Sequence, residues 1–408
     1  MSSPVSHDLH GPALHPLHRV WRGLPQGPRR RLLTSGAALV APRPDQPAPQ
    51  VQGGIAVGGE LDRSSGLGEG ARLMLHGLAK LGVPCWPLQP GRLPPPGAAL
   101  VLHVTAPGMP LALLRLGRAA LRGRRVIGYW AWELPAVPDI WRAGLPFVHE
   151  VWAPSRFSAA ALRPLAPGVR VVPHPVAAYP PVPSALGRAD FGLPADAVVT
   201  LASFSLASSF ERKNPLGAIA AHRLAFGTRA DRVLLLRVGN PHHFPADFAR
   251  LRAAAAGLPN VRLDTRTLPA ADSHALTAAC DIVLSLHRSE GFGLVPAEAM
   301  LLGVPVVATG WSGNMDYMDR DCAAPVPFTL APACDPRGVF EAPGAVWADP
   351  DLAAAAAHLV RLAGDPAARR ALGQAGQRAA RLRLGTGPLA DAVRSLGLPV
   401  PCPSLPAP

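Results

Sequence analysis

From residue 51 onward, short β-branched and aliphatic runs alternate with longer stretches rich in Ala, Leu and Arg. This alternation is the pattern of parallel α/β domains, in which each helical stretch carries the chain back to start the next parallel strand. In the first half it predicts a helix over 66–79, a strand over 99–105 and a helix over 110–122. Strands over 124–130 and 149–153, a helix over 156–165 and a strand over 169–172 follow. In the second half it predicts strands over 197–204, 232–238, 261–264, 282–286 and 304–308. Helices are expected over 214–226, 245–256, 270–279, 295–302, 350–363 and 366–383. The economical arrangement is two doubly wound domains, 51–185 and 186–385, with a linker near 180–186. Ligands of such sheets bind outside the carboxyl ends of the strands, so the expected site is a cleft between the domains.

With 408 residues, 49% apolar and 16% charged, the chain has enough apolar material for two cores. Proline crowds residues 1–50 and the final ten, so 1–50 and 386–408 are expected as disordered tails. The five cysteines (Cys85, Cys280, Cys322, Cys334 and Cys402) are odd in number and form no CxxC pair. They suggest neither a disulfide framework nor a zinc site, and a reducing, cytoplasmic setting is the simplest reading. The uncharged stretch 93–114 is interrupted by prolines and glycines and reads as strand, turn and helix rather than a membrane span. Arg29, Arg30 and Arg31 precede too short an apolar run for an export signal.

The net charge of +13 is unevenly placed. Residues 1–185 hold 19 Lys and Arg against 8 Asp and Glu, whereas residues 186–408 hold 21 against 19. A basic half suggests an anionic partner, and no zinc-finger, helix-turn-helix or aromatic-and-basic pattern points to nucleic acid. An anionic membrane surface or a phosphate-bearing substrate fits better. The spacing of Arg115, Arg118, Arg122 and Arg125 would put four arginines on one helical stripe, suited to a membrane surface or simply to solvent.

The segment Ser289-Glu290-Gly291-Phe292-Gly293-Leu294-Val295-Pro296-Ala297-Glu298 follows an apolar strand and opens a helix. A glycine-bearing turn at a helix N-terminus offers free N–H groups and the positive end of the dipole, a ready site for a diphosphate. Gly291, Phe292, Gly293 and Leu294 would form that turn. Glu298, one turn into the helix, can accept from vicinal ribose hydroxyls, and Glu290 can meet sugar hydroxyls. Ser208-Ser209-Phe210-Glu211-Arg212-Lys213-Asn214-Pro215 supplies two cations that can neutralise a leaving diphosphate. Lys213 is one of only two lysines; the other is Lys80.

Three further features are weaker. Gly66 and Gly68 open the helix over 66–79, either as a phosphate-approaching loop or as a plain entry turn. Glu133 follows Gly128-Tyr129-Trp130-Ala131-Trp132 at a strand end, where a carboxylate between rings suits a sugar, and where core aromatics beside a surface acid are equally expected. Asp319-Arg320-Asp321 follows a turn-rich stretch and is read as a chance DxD. His287 is read as a satisfied histidine at a strand end.

The Glu290-to-Glu298 segment, continued by Gly303-Val304-Pro305 through Ser312-Gly313-Asn314, resembles the Glu-x7-Glu motif of the retaining GT-B glycosyltransferases, especially family four. The resemblance extends over most of residues 60–380. It implies a GT-B fold of two Rossmann-like domains, with the nucleotide held by the C-terminal domain and the acceptor mainly by the N-terminal one. It places Glu290 at the donor sugar, Glu298 at the ribose, and Ser312 and Gly313 beside the sugar and phosphates. The family's usual arginine, about six residues before the lysine, is replaced here by Ala207, with Arg212 adjacent to the lysine instead. The implied activity is retaining transfer of a hexose from a nucleotide-diphosphate sugar to a glycan or lipid-linked acceptor in cell-surface polysaccharide synthesis. The nucleotide sugar would be a co-substrate, with no metal. A GT-B-fold nucleotide-sugar epimerase and a catalytically silent sugar-nucleotide-binding subunit are the competing expectations.

Overall fold

The computed structural model describes residues 26–401 apart from positions 64, 90, 341 and 343, with side chains from residue 32 onward. Six strands form a first parallel sheet: β1 (Ile55–Gly58), β2 (Cys85–Pro87), β3 (Ala99–Leu102), β4 (Val126–Tyr129), β5 (Glu150–Ala153) and β6 (Arg170–Val171). Their order is β2-β1-β3-β4-β5-β6. A second parallel sheet holds β7 (Val198–Ser205), β8 (Arg232–Gly239), β9 (Val261–Asp264), β10 (Ile282–Ser285), β11 (Val306–Thr309) and β12 (Ala324–Val326). Its order is β12-β11-β10-β7-β8-β9.

The inner strands of both sheets are covered on both faces, which explains why they are apolar runs, while the edge strands β2, β6 and β9 are partly exposed. Ile55 and Val57 of β1 join the core on one face and Ala56 the core on the other. In β11, Val306 and Ala308 face one side and Val307 the opposite side. The strand order of the second sheet reverses between β7 and β10, so the loops leaving these two strands open onto one crevice.

Besides the short strands β1, β2 and β12, which the sequence expectation lacks, four features depart from it. Residues 26–40, expected as tail, form the helix Gln26–Val40, which buries Thr34 and Ala37 against the first domain. Thr34 Oγ1 donates to Pro107 O at 3.1 Å, a tertiary anchor that composition could not reveal. The rest of the expected N-terminal tail, 1–25, lies outside the described residues, as do 402–408 and the side chains of Arg29, Arg30 and Arg31. The second expected tail contains the helix Gly387–Ser395, whose Leu389, Ala392 and Val393 return to the core of the first domain beside Ile55 and Val57. The helix expected over 110–122 is broken at Gly117, where φ is +76°, into Met109–Leu116 and Arg118–Leu121. The four arginines therefore do not share one helical stripe: Arg118 pairs with Asp45 at 2.5 Å, and Arg125 pairs with Glu150 at 3.1 Å.

The fourth departure is an antiparallel hairpin of β13 (Phe328–Pro332) and β14 (Val346–Pro350). The segment between its strands carries Phe340 into the core of the first domain, 5.5 Å from Trp132 between ring centroids. Among the described residues, no helix is long and apolar enough to cross a membrane.

Candidate active site

The loop leaving β7 is held in an unusual shape by short polar residues. Ser209 has φ +73° and Asn214 φ +50°, left-handed conformations costly for residues with a Cβ. Ser209 Oγ accepts from Arg212 N at 3.3 Å and closes the short helix Phe210–Lys213. Asn214 Oδ1 caps the next helix at Gly217 N, 3.1 Å away, and its Nδ2 donates to Leu286 O at 3.0 Å. That last bond ties the β7 loop to the end of β10, so the two motifs separated by 77 residues meet at the switch point.

Glu290 is their meeting place. Its carboxylate takes the Lys213 ammonium on Oε1 and faces the Arg212 guanidinium across 3.3 Å on Oε2. Burial works to raise this carboxyl, but Lys213 and then Arg212 overcome it and bring it down to about 2. Burial also pulls the Lys213 ammonium below its ordinary value, against the attraction of Glu290. Arg212 is buried and fixed by donation to Ser289 O at 2.7 Å and Ser208 O at 2.9 Å, and it lies 5.3 Å over the ring of Phe340. Two cations thus sit preorganised beside Glu290, and Lys213, the more exposed of the two, is the one an anion could reach.

Glu133 comes from the other domain. It lies 3.7 Å from Arg212, and its carbonyl accepts from Ser289 Oγ. Burial raises its carboxyl, Arg212 opposes this and Glu290 adds to it. The aromatic neighbours in its motif are core residues. Trp130 and Trp132 are buried and meet Trp141 edge-on, so they form no exposed platform for a sugar.

The glycine turn depends on close backbone approach. Gly293, at φ +91°, starts the helix Leu294–Leu301. Gly313 N donates to Glu290 O at 2.9 Å, and a Cβ on Gly313 would lie 2.2 Å from Gly291 O. Ser312, at φ +80°, accepts from Glu290 N on its Oγ at 2.8 Å. Ser312 and Gly313 therefore fix the Glu290 backbone. Gly291 O also accepts from Ser155 Oγ of the first domain at 2.6 Å. The Phe292 side chain is buried, edge-on to His174, so only its backbone can serve a ligand. Leu294 is half-buried against the core.

Glu298 lies in that helix, apart from the Glu290 cluster. Burial pushes its carboxyl up to about 8; Glu69 from the first domain adds to the rise and Arg237 opposes it. Arg237, near the carboxyl end of β8, donates to Ser273 Oγ. Its signal in the sequence is a lone arginine near the end of an aliphatic strand, and the expected site did not include it. Ser155 and Ser158, whose hydroxyls both donate to Gly291 O across the domains, were also missed, as was Phe340, which the hairpin segment brings to Arg212.

At the first domain's entry turn, Gly66 has open space around it, whereas a Cβ on Gly68 would lie 2.3 Å from Glu60 O. Gly68 thus serves the turn's own packing, and Ser65 Oγ accepts from its N–H at 3.1 Å. His287 is held between Ser285 Oγ and Asn314 Oδ1, both at 3.0 Å. Asp319 pairs with Arg383 at 2.6 Å.

Residues 211–349, the stretch from Glu211 of the β7 loop to Asp349 of β14, match the family model described as Glycosyl transferases group 1. No curated protein matches the chain. Its structure is similar to that of Anabaena Alr3699/HepE in complex with UDP and glucose, at 16% identity and TM-score 0.58, over 84% of this chain and 98% of that one. It is similar to sucrose-phosphate synthase from Thermosynechococcus elongatus, at 17% identity and TM-score 0.60, over 84% and 99%. It also resembles the N-terminal domain of Candida albicans trehalose-6-phosphate phosphatase, at 9% identity and TM-score 0.58, over 87% and 99%. The chain has the GT-B fold, and its second domain carries a segment of the group 1 glycosyl transferase type that includes both the Arg212-Lys213 pair and Glu290.

Proposed function

We propose that this chain is a retaining glycosyltransferase that moves a hexose from a nucleotide-diphosphate sugar to a glycan or lipid-linked acceptor, in the synthesis of a cell-surface polysaccharide. The observation that carries the reading is the convergence of Lys213 and Arg212 on Glu290 at the switch point of the second sheet. The two cations face the position where a diphosphate leaves, and they supply its charge stabilisation without a metal. Glu290 orients the donor sugar, Glu298 holds the ribose, and Glu133 meets the transferred sugar or the acceptor from the opposite domain.

Substitution proceeds on the front face of the anomeric carbon. The acceptor oxygen bonds to that carbon from the side on which the bond to the phosphate oxygen breaks, and the acceptor's proton passes to a phosphate oxygen. The protein contributes position and charge rather than a dedicated base. The enzyme would work at the cytoplasmic face of the membrane.

The test is the anomeric configuration of the product. Nucleotide sugars that bind the protein are incubated with glycan and lipid-linked acceptors, and proton NMR couplings compare product with donor. Matching configurations support the reading. An inverted product removes the front-face mechanism, and epimerisation of the donor without acceptor removes the transferase.

A further inference from the structure

The helix Gln26–Val40 presents its large apolar residues outward. Its inward stripe is made of small groups: Thr34 and Ala37 are buried, followed by Ala41 just past its end. At 100° per residue the opposite face holds Leu32, Leu33, Gly36, Leu39 and Val40. Leu32 is 59% exposed, Leu33 48%, Leu39 87% and Val40 68%. Among the described residues, thirteen large apolar side chains are exposed, and four of them sit on this one helix. Scattered exposed leucines are ordinary, but four on one helical face form a continuous apolar stripe.

The sequence on both sides of the stripe is basic. Between Asp8 and Asp45 the chain has no acidic residue and six arginines: Arg19, Arg22, Arg29, Arg30, Arg31 and Arg43. On the helices packed against it, Arg115 and Arg142 are exposed, and Asp139, at the start of the second, lies 3.7 Å from Arg142. Asp45 is itself engaged by Arg118 at 2.5 Å and by Gly123 N at 2.7 Å. A leucine stripe in a segment rich in arginine and free of acidic residues has the composition of a helix that lies in the plane of a membrane interface. A second copy of this chain is a poor occupant, since it would bring the same arginines against each other.

We infer that the helix Gln26–Val40 docks on an anionic lipid bilayer, its Leu/Val stripe entering the acyl boundary while the arginines meet the headgroups. This surface replaces the broken arginine stripe of the 110–122 region as the membrane-facing element. It is moored through Thr34 to Pro107, in the loop that leaves the cleft-side end of β3. Docking therefore holds the mouth of the cleft near the bilayer. The inference depends on no step of sugar transfer.

The experiment is vesicle co-sedimentation of the full chain, with phosphatidylglycerol and phosphatidylcholine in equal parts or phosphatidylcholine alone, at low and high salt. Binding is expected to the anionic vesicles at low salt and to weaken at high salt, as the Debye length falls from about 10 Å at 0.1 M to about 3 Å at 1 M. Replacing Arg29, Arg30 and Arg31 together by Gln should weaken binding roughly a hundredfold, taking each arginine near such a surface as about a fivefold effect. Leu32→Gln with Leu39→Gln should weaken it at least about tenfold. Leu382→Gln, at an exposed leucine elsewhere, should change nothing. Hydrogen exchange of residues 32–40 in the wild type should slow on adding anionic vesicles, a readout that needs no variant to fold. Absence of wild-type binding, binding unchanged by both sets of substitutions, or unchanged exchange would overturn the inference. So would a vesicle-free dimer abolished by the leucine substitutions, or protection of 32–40 in the free protein that is lost on removing residues 1–24.

Discussion

Glu298 is the residue whose protonation is most displaced from the ordinary carboxylate range, and two consequences follow from the direction. Its carboxyl is raised by burial and by Glu69 from near 4.5 to about 8 in the ligand-free protein. A group raised in the folded state contributes stability that is complete below its unfolded value and is lost as pH rises through the folded one. The ligand-free protein should therefore lose thermal stability as pH rises from about 4.5 to about 8, and Glu298→Gln should flatten that part of the profile. If ribose hydroxyls claim the carboxylate, binding of a nucleoside diphosphate at neutral pH should release a proton from the wild type and none from Glu298→Gln. Calorimetry in buffers of different ionisation enthalpy counts that proton. Equal counts in the two proteins would contradict the ribose assignment. Glu290 and Glu298 were legible in the sequence because one short segment carries both, with the turn and the helix that place them. Arg237 was not, because it approaches Glu298 only through the order of strands in the second sheet. The central place of Arg212 was only half legible: the sequence shows it beside Lys213, but its bonds to Ser289 O and Ser208 O depend on the turn at Ser209.

At the scale of elements, the crossing of the 289–293 and 310–314 loops is the most demanding piece of construction. Gly313 lets one backbone pass the other, since its Cβ would stand 2.2 Å from Gly291 O. Gly313→Ala should destabilise the protein by about 1–3 kcal/mol, the usual cost of overpacking, and should weaken nucleotide binding by shifting the Glu290 turn. Gly387→Ala, where nothing lies within 4 Å of the added carbon, is the matched control. Urea midpoints that fall equally in the two variants would contradict this account of the crossing. Most strands of the two sheets were legible because burial on both faces leaves continuous apolar runs, and the helices between them keep the chain parallel; the short strands β1, β2 and β12 were not. The hairpin of β13 and β14 was hidden, since prolines end both strands and the loop between them is long. The helix Gln26–Val40 was hidden by composition: its arginines and flanking prolines suggest a tail, while the small residues that anchor it carry no apolar periodicity.

Across the whole molecule, the site is assembled by contact between domains. Ser289 Oγ donates to Glu133 O, Ser155 Oγ to Gly291 O, and Arg156 pairs with Asp316 at 3.3 Å. The hairpin segment places Phe340 beside Trp132, while the helix Gly387–Ser395 returns to the first domain. None of these cross-domain pairings was legible, although Glu133 and Gly291 were each expected at the site, because each joins residues more than a hundred positions apart with no shared motif. If Lys213 stabilises a leaving diphosphate, turnover must depend on its charge. The most direct measurement is acceptor-dependent release of nucleoside diphosphate from a nucleotide sugar by wild type, Lys213→Ala, Lys213→Arg and Lys80→Ala, each verified as folded by its thermal transition. Removing one preorganised charge stabiliser typically costs about 100–1,000-fold in turnover, so Lys213→Ala should fall by at least about a hundredfold. Lys213→Arg should recover part of the loss, and Lys80→Ala should match the wild type. Full turnover by a folded Lys213→Ala protein would contradict the account.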